Sequence, residues 1–510
     1  MLSKIQSSAV VGLDCLPIDV EVDIASQGLP SFTIVGLGDK AIEEAKERVR
    51  AAIKNSGGEF PARRITVNLA PAELPKEGTA YDLPIAVGIL AAIGEIPNNL
   101  VDCLVLGELS LDGNLRKIKG VLPQVAMAAN LGLKKVFLPK ANAAEAAIVG
   151  GFEVYPVENL IQLVKHLRGI EVITPIKNLS TDKFFDDGSD FELDMAEIAG
   201  QERAKRALEI AAAGFHNVLM SGPPGAGKTL LAKTIPTILP KLNFEEALEV
   251  TKVYSICGKV SQDKPLITTR PFRSPHHTAS FIGLIGGGTY PAPGEITLAN
   301  RGVLFLDEFS EFPRSSLEAL RQPLEDGMVT ISRAKGAATF PAKFILVAAT
   351  NPCPCGFLGD TRKACICLPA AVTRYQKRIS GPILDRVDIH LTVPAVEVEK
   401  LTKPASGEIS AEIRKRVEAG HKIQRKRFAG SKISFNSQMT NKQVKQFCTL
   451  DQRSLALLKS ALTELGLSAR GFYKTIKIAR TIADLKNCQD IKLEHLAEAL
   501  QYRPSFPSFS

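Results

Sequence analysis

The sequence predicts an α/β chain with two sheet-containing domains and a helical C-terminal lid. Three observations carry this. Residues 222–229 read GPPGAGKT, directly after the apolar run 217–220 and before the helix-forming run 229–238. Residues 303–308, VLFLDE, read as a buried strand ending in two acids. Short β-like runs alternate with alanine-rich helical stretches through the first 168 residues.

Taken in order, residues 19–24, 32–35, 65–69, 103–106 and 135–138 read as strands, and 40–55 and 121–131 as helices, giving one α/β domain over 1–168. The segment 169–192, containing NLSTDKFFDDGSD, is polar and acidic without an apolar period and reads as a linker. The next domain, 193–400, opens with a helix at 199–213 and a strand at 217–220 that leads into the glycine loop. Residues 401–510 are helical in pattern, and the tail YRPSFPSFS is expected to fray.

At 510 residues the chain is too long for one core, in keeping with that division. The apolar run at 83–94 is too short to span a bilayer, and residues 1–14 lack a clean signal-peptide core, so a cytoplasmic location without a membrane partner is expected. Nine cysteines, an odd number, argue for reduced thiols or a metal site over a secreted disulfide framework. The net charge of +9 permits a nucleic-acid partner; an ordinary solvated surface accounts for it equally well.

The glycine loop is the most specific signal. Gly222, Pro223, Pro224, Gly225, Ala226 and Gly227 let the backbone turn its N–H groups toward phosphate oxygens, Lys228 reaches the β and γ phosphates of ATP, and the Thr229 hydroxyl ligates magnesium. Asp307, at the end of VLFLDE, is placed to meet the hydrated magnesium, and Glu308 to polarise the attacking water. A third strand, 344–349, ends beside Asn351, whose amide is suited to positioning that water. Strand ends of one parallel sheet share a crevice, so these groups are expected to converge.

Residues 353–367, CPCGFLGDTRKACIC, offer Cys353, Cys355, Cys365 and Cys367 as four thiolates for a structural zinc, with four free thiols as the alternative. Residues 325–344 read as a hairpin with a basic tip at Arg333 and Lys335. The glycines of FIGLIGGGTYPAPGE (281–295) fit a mobile loop, while His276 and His277, with no acid or cysteine nearby in sequence, read as ordinary packing or hydrogen-bonding groups. The basic run 411–428 reads as the solvated face of a helix.

The glycine loop, VLFLDE, Asn351, SGPILDRVDIH (380–390) and LSARGFYKTIKIAR (467–480) together resemble the magnesium-chelatase and MCM branch of AAA+ proteins, and within it the bacterial ComM/YifB family over nearly the whole chain. The resemblance implies that Asn351 is the first sensor, Arg386 the finger that reaches a neighbouring subunit's ATP, and Arg470 the lid-borne sensor arginine. It also implies a homo-oligomeric, six-membered ring. In that branch the hairpin tip grips DNA phosphates in the pore, so Arg333 and Lys335 are the expected contacts to single-stranded or branched DNA. The expected activity is ATP-driven DNA unwinding and branch migration during natural transformation and recombination. A chelatase-type chaperone that remodels a protein partner is the alternative.

The front domain resembles the proteolytic domain of Lon at APAELPKEGTAYDLPIA (70–86) and LGELSLDGNLRKIKGVLPQVAMAA (106–129). Where that motif places a serine nucleophile the chain has Ala80, and where it places the lysine, Leu122. Neither supports the chemistry, so no protease activity is expected.

Overall fold

The computed structural model describes residues 1–510 except 37–38, 75, 77, 177–183, 186–190, 289–290, 334–335, 398–406, 432, 465–467 and 504–510. Lys335, half of the expected linker, part of the glycine-rich loop, Leu467 and most of the expected tail therefore lie outside the described residues.

In the front domain, seven strands form one mixed sheet in the order Ser31–Val35, Arg64–Ala70, Asp14–Ile24, Leu2–Val11, Cys103–Val105, Lys135–Pro139 and Glu153–Val157. The first long hairpin, Leu2–Val11 against Asp14–Ile24, is antiparallel, and the last three strands run parallel. Its core helix, Asp82–Ala92, is buried at every position. A helix apolar all round belongs in the middle of a core, and this one supplies the apolar run that the sequence shows at 83–94.

The main sheet of the second domain has five strands among the described residues, all parallel, in the order Phe272–Arg273, Val303–Leu306, Ile345–Thr350, Val218–Ser221 and Ile389–Thr392. Four-residue runs such as Val303–Leu306 are buried at every position, as strands covered on both faces must be. The C-terminal ends of the central strands point to one edge of the sheet, where Gly222–Gly227 connects Val218–Ser221 to the helix Lys228–Ile238.

C-terminal helices Ser410–Arg427, Ala469–Leu485 and Leu493–Leu500 share a core with the sheet and with the helix Glu202–Gly214. His421 Nε2 sits 3.0 Å from the Ala212 carbonyl, Gln424 donates to the Ala213 carbonyl at 2.8 Å, and Phe215 stacks on Phe435 at 4.6 Å. The basic run on Ser410–Arg427 is only partly a solvated face. Arg414 donates to the Thr237 carbonyl at 2.7 Å, Arg416 pairs with Glu209 at 2.6 Å and with Glu408, and Arg427 pairs with Asp484 at 2.5 Å.

The front domain and the second domain are joined by a small apolar core: Leu122 and Ile148 from the former meet Leu242, Ala247, Val250 and Leu266 from the latter. Backbone N–H groups reinforce it, with Gly120 donating to the Ser255 carbonyl at 2.9 Å and Leu122 to the Ser255 hydroxyl at 3.2 Å. No helix among the described residues is long and apolar enough to cross a membrane.

Candidate nucleotide site

Gly222, at the start of the loop, is required by close approach: a Cβ there would lie 2.1 Å from the Val393 carbonyl oxygen. Gly225 and Gly227 have φ of 77° and 83°, a conformation that L side chains rarely adopt. They turn the chain so that Lys228 opens the following helix. The Lys228 amino group folds back onto its own loop, donating to the carbonyls of Gly222 at 2.6 Å and Pro223 at 2.9 Å and to Asn351 Oδ1 at 3.2 Å. Burial lowers its pKa, opposed by the Asp307 carboxylate.

Thr229 donates its hydroxyl to Asp307 Oδ2 at 2.7 Å. Lys228, Thr229, Asp307 and Asn351, separated by up to 123 positions in the chain, are thereby brought to one crevice. A hydroxyl beside a carboxylate is an all-oxygen donor pair, which fits magnesium. Glu308 follows in a left-handed conformation, φ 50°, which turns its side chain off the strand line. Its carboxylate lies 2.9 Å from His277 Nδ1.

His277 thus makes a polar contact to one of the two acids that VLFLDE presents, within the hydrogen-bonding reading of the histidine pair. His276 behaves as expected, with Nδ1 2.8 Å from the Thr278 hydroxyl. The sequence carried no signal for the His277 contact because 31 residues separate it from Glu308. Gln201 was missed as well. Its amide donates to Pro394 O at 2.6 Å and to Ala226 O at 3.3 Å, tying the loop to the end of the last strand.

Arg386 and Arg470 do not join this crevice. Arg386 precedes the strand Ile389–Thr392, at the sheet edge opposite the phosphate loop, and the helix Ala469–Leu485 brings Arg470 to the same place. Both line a cleft of about 530 Å³ with Asn217, Glu325 and Lys474. Arg386 ion-pairs with Glu325 rather than with its neighbours Asp385 or Asp388, and Arg470 lies 3.8 Å from the same carboxylate. Asp388 is instead held by Lys474 at 2.8 Å and by His216 at 3.4 Å. Burial disfavours its charge, yet these partners keep its carboxyl well below the usual range.

The four cysteines come together, with all four sulfurs within 4.8 Å of one another. Cys353 Sγ lies 3.4 Å from Cys355 Sγ and 3.6 Å from Cys365 Sγ, and Cys355 to Cys365 is also 3.6 Å. A zinc about 2.3 Å from four tetrahedral thiolates spaces them about 3.8 Å apart. The donor set therefore fits. This loop also leans on the phosphate site, since a Cβ on Gly356 would sit 2.5 Å from Pro224 Cδ.

The hairpin is formed by Met328–Arg333 and Gly336–Pro341, antiparallel, with Arg333 opposite Gly336. The glycine-rich segment before it has more structure than a bare loop: a short helix, Phe281–Ile285, leads into Gly286–Gly287 paired with Ala292–Pro293. Its glycines make room, since a Cβ on Gly286 would meet Ala292 O at 2.3 Å and Ile331 Cδ1 at 2.7 Å, and one on Gly287 would lie 3.0 Å from the Arg333 guanidinium.

In the front domain, Ala80 borders one apolar cluster and Leu122 fills the core between domains. Thr79, the residue beside Ala80, donates to Glu108, and the Lys119 stem lies along Gly258. A serine-type nucleophile paired with a lysine is not assembled from these residues.

A parallel sheet that delivers an acid and an amide to one phosphate loop, with helices packed behind it, is the arrangement of the AAA+ class. Three segments match family descriptions: residues 20–142 match "Subunit ChlI of Mg-chelatase", 194–401 "Magnesium chelatase, subunit ChlI", and 407–503 "Magnesium chelatase, subunit ChlI C-terminal". Along its length the chain is 43% identical over 504 residues to competence protein ComM of Haemophilus influenzae, covering 98% of this chain and 97% of that one. It is 43% identical over 505 residues to the uncharacterized protein YifB of Escherichia coli, with 98% and 97% covered. The chain belongs to the ComM/YifB family of magnesium-chelatase-like AAA+ proteins. Archaeal Lon protease of Thermococcus kodakarensis is 29% identical over 173 residues, covering 32% of this chain and 27% of that protein.

Proposed function

We propose that the protein is a ring-forming, magnesium-dependent ATPase that moves DNA, acting in the uptake or recombination of strands. The observation that carries the first part is the separation of Arg386 and Arg470 from the Lys228 crevice. Two cations converge on a cleft that holds no phosphate loop of its own, so they complete the site of an adjacent copy. Lys228 and the loop N–H groups bind the triphosphate tail, Asn351 and Glu308 orient and polarise water, and Arg386 meets the charge that develops on the transferred phosphoryl group. Thr229 and Asp307 would hold a magnesium ion, which would supply neutralisation of phosphate charge. The Asn351 and His277 contacts keep the water-directing groups in place before substrate arrives.

For DNA, the supports are the exposed position of Arg333 at the end of the first hairpin strand and the name of the Haemophilus relative, a competence protein. Phosphate contacts of this kind read charge and not sequence. ATP hydrolysis is expected to rise when forked DNA is added, and Arg333→Ala combined with Lys335→Ala to remove that stimulation without changing hydrolysis in the absence of DNA. The stimulation should shrink steeply with salt. Indifference of the parent protein to every DNA form favours the second reading, a chelatase-type chaperone acting on a protein, which the three matches to the chelatase subunit support.

Cys353, Cys355, Cys365 and Cys367 would hold a structural zinc; four thiolates leave no open position for substrate. Because Cys353 follows Asn351 and Gly356 abuts Pro224, the metal would brace the phosphate loop. The purified protein is expected to contain one zinc per chain, and Cys365→Ser to lose it and to raise the KM for ATP. Metal-free parent protein with an unchanged KM in the variant rules the site out.

A further inference from the structure

Glu325 stands where none of these assignments uses it. It is the penultimate residue of the helix Arg321–Asp326, which ends at Gly327, a left-handed cap with φ 66°; the hairpin strand Met328–Arg333 begins immediately afterwards. Its carboxylate accepts from Arg386 Nη2 and lies 3.8 Å from Arg470 Nη2. The Arg386 side chain is 12% exposed, and its Nε has no partner. The remaining Arg386 donor shown, Nη1, goes to the Pro382 carbonyl at 2.5 Å. Among the described residues, Glu325 is therefore the ion-pair partner of both cations assigned above to a neighbouring copy, and it lies three residues before the hairpin.

We infer that Glu325 is a positioning residue that occupies, in the unengaged protomer, the place a neighbour's phosphoryl oxygens take in the ring, so that exchange of one anion for the other moves the hairpin. Planar guanidinium groups meet carboxylate and phosphate with the same fork geometry, so the two anions compete for the same donors. When the neighbour's triphosphate wins, Glu325 is released. Gly327 is the adjacent backbone joint: its N–H is held by Pro323 O at 2.9 Å and its carbonyl accepts from Ala342 N at 2.8 Å, at the foot of the second hairpin strand. A displacement of Glu325 thus enters the hairpin at its base, and the ATP state of one protomer is transmitted to the hairpin of the next.

This rests on Arg386 acting across the interface, and the test separates the two. Removing the competing carboxylate with Glu325→Gln frees the arginines, and ATP hydrolysis without DNA is expected to rise about fivefold, the scale of one partly exposed ion pair. In the Arg386→Ala background the same substitution is expected to change nothing. Hydrogen exchange over residues 328–341, followed on adding a non-hydrolysable ATP analogue, is expected to shift in the parent and in Glu325→Asp but not in Glu325→Gln. Hydrolysis and exchange in Glu325→Gln that both match the parent overturn the inference while leaving the Arg386 reading intact. A loss of hydrolysis in Glu325→Gln also overturns it, making the carboxylate a support for the finger. If Arg386→Ala alone hydrolyses ATP at the parent rate, the underlying reading fails.

Discussion

Arg386→Ala protein is expected to hydrolyse ATP about 10³-fold or more slowly than the parent, the range measured when such an arginine is withdrawn from a phosphoryl-transfer site. Binding should survive, because Lys228 and the loop amides lie at the other edge of the sheet. The trans assignment has a sharper consequence. Arg386→Ala protomers mixed with Lys228→Ala protomers should recover part of the lost rate, since an intact loop then meets an intact guanidinium at some interfaces. Steady-state phosphate release from the two variants, alone and mixed, decides this. Equal rates for parent and Arg386→Ala would leave the cleft at Glu325 without a catalytic purpose.

Glu308→Gln is expected to lower hydrolysis by about 10²- to 10⁴-fold, as for other general bases. It should leave nucleotide affinity near that of the parent, because the groups that hold the triphosphate and its metal are untouched. Asp307→Ala should differ in kind. The Thr229 hydroxyl loses its carboxylate partner at 2.7 Å, and magnesium-dependent binding weakens together with turnover. Fluorescent-nucleotide titration with and without magnesium, run beside hydrolysis, distinguishes the two variants; a Glu308→Gln protein that turns over like the parent removes Glu308 from the chemistry.

The convergence of Lys228, Thr229, Asp307 and Asn351 was legible because its parts are local patterns: an apolar strand ending in a glycine loop, and another ending in two acids. Parallel topology then does the rest, carrying Asn351 to Lys228 without further instruction. The strand Leu2–Val11 was not legible because serines break its apolar alternation. Ser3 and Ser8 are buried, and they are satisfied by the Gly88 carbonyl and the Gln124 side chain, partners far away in sequence. Glu153–Val157 was hidden by Pro156, which an edge strand tolerates and a central one does not. The pairings of Glu325 with Arg386 and of His277 with Glu308 depend on where loops and helices pack, and no periodicity encodes that. In the other direction, GLIGGG reads as a mobile loop, and the structure adds a packing reason for Gly286, where Ala292 O and Ile331 Cδ1 leave no space for a side chain.

The turn between the first two strands reaches across to the hairpin. A Cβ on Gly12 would sit 3.1 Å from the Ala338 Cβ, and Leu13 packs into the apolar cluster that holds Val329, Ile331 and Phe340. The front domain is therefore a backstop for the very element proposed to travel. A swing of the hairpin toward it would meet those contacts, or would carry the front domain along. If the hairpin travels as proposed, its excursion would be limited on that side by a domain that lacks the serine and lysine of its resemblance.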